Sequence, residues 1–335
     1  MASKRIIRID AKSSKPKYKQ IIDSLFQAIE KRILKKGDKV PSINEICAEF
    51  GLSRDTVMGA FNELKAKGII LSQPGKGYYI ASTEIQTEEK VFVLFDELNG
   101  FKEDLYNSLV SSLKGKASID VYFHHFNYKV FKSLISESIG NYTSYIIMPA
   151  TFDNIVHLIS KLPADKVYIL DRYKKELKNY AVVYQDFEQD FYDALKAGSN
   201  LLKKYRKLVF VNPGGKEPAE RTVGFERYCK ENNIEYQVLK SLAAANPSMY
   251  EAYFIISDRD LVEVVKLAKK YKYKLGKSFG IVSFNDTTLK EVVAGGITTI
   301  SSDFSEMGKT LAQMVLAKKG NQVRNPSNMI VRHSL

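Results

Sequence analysis

The sequence predicts an α/β protein in two unlike parts: a small helical module closed by a hairpin over residues 1–81, and a larger region over 90–335 built from parallel sheets. Three observations carry this. The first part holds amphipathic helical stripes and no strand-like run until the chain nears a Gly- and Pro-containing turn at 73–77. From residue 90 on, short runs rich in Val, Ile, Tyr and Phe alternate with amphipathic helical stretches, the pattern of sheets covered on both faces. Charge is uneven: the net is +13, with 16 Lys and Arg against 9 Asp and Glu in residues 1–85 and 35 against 29 beyond. The excess per residue is about three times denser at the front. A solubilising surface accounts for the second figure, whereas a basic excess on a helix-presenting module points to a polyanion partner.

At 335 residues and 44% hydrophobic, the chain can bury at least two cores. Cys47 and Cys229 are too few and too far apart for a metal cluster or a disulfide framework. The sequence opens on no charged-then-apolar leader and holds no stretch of eighteen apolar residues. The expectation is a cytoplasmic protein in a reducing setting, with no membrane partner, no metal and no cofactor.

The first helix is expected over 17–34, where Tyr18, Ile21, Ile22, Leu25, Phe26, Ile29 and Ile33 share one face and Gly37 marks the stop. In "PSINE" the second begins with a capping box, Ser42 capping while Glu45 reaches back, and buries Ile43, Ile46, Cys47 and Phe50. The third begins at Arg54 in "GLSRDTVMGAFNELKAKGII". Val57, Ala60, Phe61 and Leu64 form its oily stripe, Ser53 its cap, and Leu52 with Val57 a hydrophobic staple. Its first turn, Arg54, Asp55 and Thr56, is left facing outward. Two short strands, "GIILS" and "YYIAS", follow around "QPGKG". Three helices and a hairpin are the layout of a winged helix-turn-helix.

The segment "PKYKQI…GDKVPSINEICAEFGLSRDTVMGAFNELKAKGIILSQPGKGYYI" closely resembles the DNA-binding domain of the GntR family of bacterial transcription regulators. The shared positions include Tyr18-Lys19-Gln20, Gly37-Asp38, Pro41-Ser42, Ser53-Arg54, Thr56-Val57, Leu64, Gly68 and the Gly75-x-Gly77 wing. The resemblance implies that the helix from Arg54 enters the major groove of double-stranded operator DNA while the wing touches the minor groove. An arginine there can make a bidentate contact with guanine O6 and N7, worth roughly 1–3 kcal/mol of discrimination. Ser53, Thr56, Lys76 and the backbone at Gly77 suit phosphate oxygens. Asn44 and Met58 stand where the family usually has Arg. Asn44 can read adenine or a phosphate, and Met58 offers apolar contact only, so the operator need not match the family's usual one.

"STEIQTEE", residues 82–89, is polar and aperiodic and reads as the linker. Beyond it "KVFVLF", "IDVYF", "SYIIMP", "KVYIL", "AVVY", "KLVFVN", "AYFII" and "FGIVSF" read as strands, between helical stretches such as 102–114, 152–162, 187–204, 258–272 and 303–318. The words "YIIMPA", "VYILDR", "VVYQDFE", "ERTVGF", "FIISDRDL", "GIVSFND", "GITTISSDFSEMG" and "IVRHSL" resemble the effector domain of the lac repressor family, itself similar to periplasmic sugar-binding proteins. The fold implied is periplasmic-binding-protein-like: two lobes between which the chain crosses three times, here 90–183 with 297–322, and 184–296 with 326–335.

Ligands of such folds lie at the carboxyl ends of the strands, between the lobes. Sugars call for planar polar groups and an aromatic face. The candidates at strand ends are Asp96, Glu97, Phe101, His124, Asp171, Arg172, Ser257, Asp258, Asn285 and Asp286, with Arg221 at the position that clamps the ligand in the family. Each has a plainer reading: Phe101 in the core, Asp171 and Asp258 as helix caps, and one of His124 and His125 merely packed, since neighbours on a strand face opposite ways. No GxxxxGK[ST] word, strand-linked GxGxxG, nucleophile motif or metal spacing suggests an enzyme. The expectation is a homodimeric DNA-binding repressor governed by a monosaccharide of the arabinose or fucose type, as implied by the family's sugar regulators. The alternatives are an α/β enzyme acting on a sugar or nucleotide, and a protein-interaction module.

Overall fold

A computed structural model describes residues 6–11, 13, 15–84 and 89–335. Helices α1 (Lys17–Glu30), α2 (Ile43–Phe50) and α3 (Arg54–Ala66) are followed by the antiparallel pair β1 (Ile70–Gln73) and β2 (Gly77–Ile80). Ile21, Leu25, Ile46, Val57, Phe61 and Leu64, the stripe residues, make one core with Ile69 and Ile80. Phe61 meets Tyr78 of the hairpin edge to face at 4.8 Å, which ties wing to helix. The capping box is formed: Glu45 N–H donates to Ser42 Oγ at 3.2 Å, and Ser42 N–H to Glu45 Oε2 at 2.6 Å.

The first helix ends four residues before the sequence pattern does. The chain leaves the helix at Lys31, Arg32 takes a left-handed φ of +57°, and Ile33 and Leu34 donate back to the carbonyl of Ala28. That turn exposes Ile33 and buries Leu34 in its place, so the stop comes from a helix C-terminal motif without glycine. Of the linker expected over 82–89, residues 85–88 lie outside the described residues. Glu89 already opens a strand.

Lobe 1 is a six-stranded parallel sheet in the order β13-β7-β6-β5-β3-β4, with β3 (Glu89–Phe95), β4 (Ala117–Phe123), β5 (Ser144–Ile147), β6 (Val167–Asp171), β7 (Ala181–Tyr184) and β13 (Gln322–Arg324). Helices α4 (Gly100–Leu113), α5 (Tyr128–Ser138) and the single turn α6 (Val156–Ile159) connect them. The helix expected over 152–162 shrinks to that turn, because Asn154 adopts φ +54° just ahead of it.

Lobe 2 has the order β14-β12-β11-β10-β8-β9, with α7 (Phe187–Ala197), α8 (Ser199–Leu202), β8 (Lys207–Val211), α9 (Glu220–Glu231), β9 (Glu235–Leu239), β10 (Glu251–Ile255), α10 (Asp258–Lys270), β11 (Phe279–Phe284), α11 (Thr288–Val292), β12 (Thr298–Ser302) and β14 (Ser327–Ile330). Only β14 runs antiparallel to its neighbour. Each sheet is buried on both faces, which is why its strands read as continuous apolar runs.

The chain passes between the lobes after β7, after β12 and after β13. The three crossings are tied together: Asn325 N–H donates to Tyr184 O at 2.7 Å, and Asp303 N–H to Pro326 O at 2.9 Å. One expectation is corrected here. Residues 298–302, assigned with 297–322 to the first lobe, form a strand of lobe 2, and the chain returns to lobe 1 only with α12 (Phe304–Ala317) and β13.

Candidate functional site

Two sites stand apart, one on the helical module and one between the lobes. At the first, Ser53 caps α3, its Oγ accepting from Thr56 N–H at 3.3 Å and lying 2.8 Å from Thr56 Oγ1. Arg54 projects from the first turn into solvent, and its Nη1 donates to Asn44 Oδ1 of α2 at 2.8 Å. That bond fixes the guanidinium while leaving most of its donors free to read a base edge. Asp55 is exposed in the same turn, where the helix dipole favours an acid. Met58 is half-buried and packs on the helical core, so packing engages it from behind. In the wing, Gly75 and Gly77 take φ of +73° and +112°, which lets the turn carry exposed Lys76 at its tip.

The second site is a cleft of about 340 Å³ between the lobes, at the carboxyl ends of both sheets. It brings together Asp96, Glu97, Phe101, Asp171, Arg172, Arg221, Ser257, Asp258 and Asn285. Arg221, near the start of α9, is buried. Its guanidinium lies between Phe187 and Phe284, 5.1 and 4.8 Å from their ring centres, and donates to Glu217 at 3.2 Å. Burial pushes its pKa down and Glu217 and Asp171 push back, but a guanidinium stays charged either way. A planar fork held between two rings is suited to clamp paired hydroxyls.

Asp171 ends β6 in a left-handed conformation, φ +77°, and accepts from Gln185 Nε2 at 2.5 Å. Burial raises its pKa against the opposing charge of Lys102. Gln185 in turn accepts from Ser302 Oγ at 2.5 Å, so the floor of the cleft is bonded to two of the three crossings. Ser257 caps α10 through Asp260 N–H, while Asp258 pairs with Lys290 at 3.1 Å. Phe101 packs on Phe304, ring centres 4.8 Å apart and planes tilted by 35°, and also lines the cleft.

Several lining residues carry no signal in the sequence reading. Lys102 is buried on α4 and pairs with Asp96. Lys290 is buried too, donating to the carbonyls of Phe284 and Asn285 at 2.7 and 2.9 Å; burial lowers its pKa against the pull of Asp258. Lys216, beyond the left-handed pair Gly214 and Gly215, reaches from lobe 2 to Glu97 of lobe 1 at 2.7 Å. Phe187 lies under both Arg221 and Arg172. A lysine on an amphipathic helix ordinarily reads as solvated, and only the strand-end acids opposite betray these two.

Two expected residues lie elsewhere. Asp286 turns away to Arg332, which donates to both its oxygens at 2.6 and 2.8 Å. Burial would raise its pKa, but Arg332 and Thr299 hold it below the carboxylate range. His124 is fully buried beside Phe126, Phe131 and Phe152, its Nε2 3.1 Å from Met148 O and its Nδ1 without a partner. The carbonyl requires an Nε2–H, which leaves Nδ1 bare, the neutral tautomer. Burial accordingly depresses the imidazole from its ordinary 6.5, while the Met148 bond works the other way. The unfolded chain takes up a proton at this histidine before the folded one does. Stability is therefore expected to fall as pH drops below 6.5 and to level off once the folded imidazole titrates; in His124→Phe this part of the slope should vanish, as melts on either side of 6.5 would show.

With this geometry in view, known proteins give a consistent picture. The profile of the gntR family of bacterial regulatory proteins matches residues 17–80, and that of a periplasmic binding protein-like domain matches 201–335. The HTH-type transcriptional repressor YtrA of Bacillus subtilis is 37% identical over 95 residues, 28% of this chain and 73% of YtrA. The chain belongs to the gntR family of bacterial regulatory proteins. The mannosyl-D-glycerate transport/metabolism system repressor MngR of Escherichia coli is 35% identical to this gntR-family chain over 83 residues, 25% of this chain and 35% of MngR. Among solved structures, the trehalose repressor from Escherichia coli superposes on 72% of the chain and all of its own with a TM-score of 0.61 at 14% identity. A LacI family transcriptional regulator from Lactobacillus casei with bound glucose covers 73% of this chain and 99% of its own, with a TM-score of 0.60 at 14% identity. At such identity these establish the fold of the two lobes. A gntR-type DNA-binding domain joined to a LacI-like two-lobed domain makes the protein a transcription regulator. Among the described residues, no helix is long and apolar enough to cross a membrane, and no group of three His, Cys, Asp or Glu is placed to hold a metal.

Proposed function

We propose that this regulator is a repressor that binds double-stranded operator DNA as a homodimer in the cytoplasm, reading bases with Arg54 and Asn44 and phosphates with Ser53, Thr56 and the wing at Lys76 and Gly77. The observation that carries this reading is the capped first turn of α3, with Arg54 braced by Asn44 and pointed away from its own core. A monosaccharide in the interlobe cleft favours one lobe angle, and the crossings at Gln185 and Ser302, bonded to the floor of the cleft, carry that preference to the dimer. Arabinose- and fucose-type sugars are the first to try.

Charge supports a neutral ligand. Every lining cation has an acid beside it: Lys102 with Asp96, Lys216 with Glu97, Arg221 with Glu217, Lys290 with Asp258, and Arg172 with Glu220 at 3.8 Å. No excess remains to call for a phosphate, which favours a free sugar over a sugar phosphate or a nucleotide. The sugars bound in solved neighbours, glucose, lactose and sucrose, point the same way.

The DNA half is tested by Arg54→Ala against duplexes selected by the parent protein. Loss of one bidentate base contact should cost about 1–3 kcal/mol on selected sites and much less on mixed sequence, with the salt slope nearly kept. Equal affinity of parent and variant for the selected sites would remove α3 from the groove.

A further inference from the structure

The reading helix is not free. The face of α3 opposite its buried stripe, carrying Asp55, Gly59, Asn62 and Glu63, is turned toward lobe 1. Glu63 Oε2 accepts from Lys166 Nζ of lobe 1 at 2.9 Å, and both side chains are about five-sixths buried, at 15% and 16% exposed. Asn62 lies so close to the buried Gly140 that a methyl group there would come within 2.5 Å of its amide. From α1, Tyr18 OH reaches Asp165 at 3.5 Å. These contacts come from two helices of the DNA-binding domain and from two separate segments of lobe 1.

Between the two walls is an open cleft of about 610 Å³, with Asp55, Thr56 and Met58 of α3 on one side and Ile139, Leu162, Pro163 and Lys166 among the residues on the other. A major groove admits a helix only by placing a phosphate backbone on each side of it, across about 12 Å. Lobe 1 stands against one flank of α3, at Asn62 and Glu63.

We propose that this contact is an intramolecular latch: in the DNA-free chain lobe 1 holds the outward face of α3 at Asn62 and Glu63, and the two must part before α3 enters the groove. The latch rests on the DNA-reading role given to α3 above. It uses the amino ends of the lobe 1 strands, Lys166 immediately preceding β6, whereas the ligand cleft uses their carboxyl ends, Asp171 ending the same strand. Breaking the latch therefore leaves the cleft intact.

Lys166→Glu distinguishes the latch from simple electrostatics by sign. Two units of positive charge are lost from a DNA-binding chain, which by phosphate neutralisation alone weakens binding. If the ion pair holds α3 down, the variant instead binds a mixed-sequence duplex at low salt more tightly, by about fivefold or more, the lower end of measured coupling between sites. Unchanged or weaker binding overturns the latch. A second readout needs no variant: a zero-length carbodiimide should join the Glu63 carboxylate to the Lys166 amine within one chain of the free parent protein, and saturating duplex should suppress the product. A missing cross-link in the free protein, or one that survives saturation, overturns it equally. A parent chain that binds no duplex at low salt sinks the DNA reading and the latch together, a result distinct from a parent that binds and a variant that binds no better.

Discussion

Gly224→Ala is expected to destabilise the protein by about 3 kcal/mol or more, although the same change in an open helix stabilises by up to about 1 kcal/mol. Gly224 lies inside α9, where alanine is the better helix former. Its Cα, however, faces the backbone of Glu188 at the start of α7, and a Cβ built there would meet the Glu188 carbonyl oxygen at 2.1 Å and its carbonyl carbon at 2.9 Å. Backbone cannot swing aside as a side chain does. The helices must separate, and with them Phe191 and Phe225, stacked at 5.5 Å in the core of lobe 2. Gly59→Ala is the control: it is also helical, has nothing within 4 Å of the added carbon, and should raise stability by about 0.5–1 kcal/mol. Opposite shifts in the two melts support the close approach; two rises would show that α9 and α7 are not in contact at Gly224.

The same close approach gives a local geometry to the word "ERTVGF", which reads in the sequence through its resemblance to the lac repressor family. Arg221 sits three residues before Gly224, on the same face of α9, so the glycine that lets α9 close on α7 is the one that brings the guanidinium over Phe187. Local chemistry of this sort reads well from sequence: the Ser42–Glu45 box, the Ser53 cap and the stripe of α3 are all decided within a few residues. What did not read well depends on partners far along the chain. β12 is "TTISS", and Thr298, Thr299, Ser301 and Ser302 are all buried although polar. They are tolerable inside because Thr298 bonds to Ser334 and Arg332, Thr299 to Asp286, and Ser302 to Gln185. No hydrophobic signal marks such a strand, so its place in lobe 2 does not show in the sequence. The placement of Asp286 has the same cause: at a strand end the acid reads as unattached, and its partner Arg332 lies 46 residues on. The latch was beyond reach, since Glu63 and Lys166 are 103 residues apart and each alone is a solvated charge.

The second large effect concerns ligand binding. Screened by thermal shift against neutral monosaccharides and their phosphates, the full chain should respond to a neutral sugar, gaining about 2.7 kcal/mol at one hundred times the dissociation constant. Arg221→Ala should lose that response. Hydrogen bonds from a charged donor contribute about 1.5–3 kcal/mol each, so losing a fork that clamps two hydroxyls costs about 3 kcal/mol or more of affinity, and at the same sugar concentration the gain drops below about 1 kcal/mol. Arg221→Lys separates charge from shape: lysine keeps the cation beside Glu217 but brings a compact ammonium in place of the planar fork between Phe187 and Phe284. If clamping of paired hydroxyls is what Arg221 does, the lysine variant fails nearly as badly as alanine; if it only balances Glu217, lysine restores binding. A response to sugar phosphates alone would overturn the neutral-ligand reading, because five cations each matched by an acid offer no surplus charge for it. A parent that responds and an Arg221→Ala that responds equally would take Arg221 out of the site and leave it as a brace for α9, a role its burial between two rings would still satisfy.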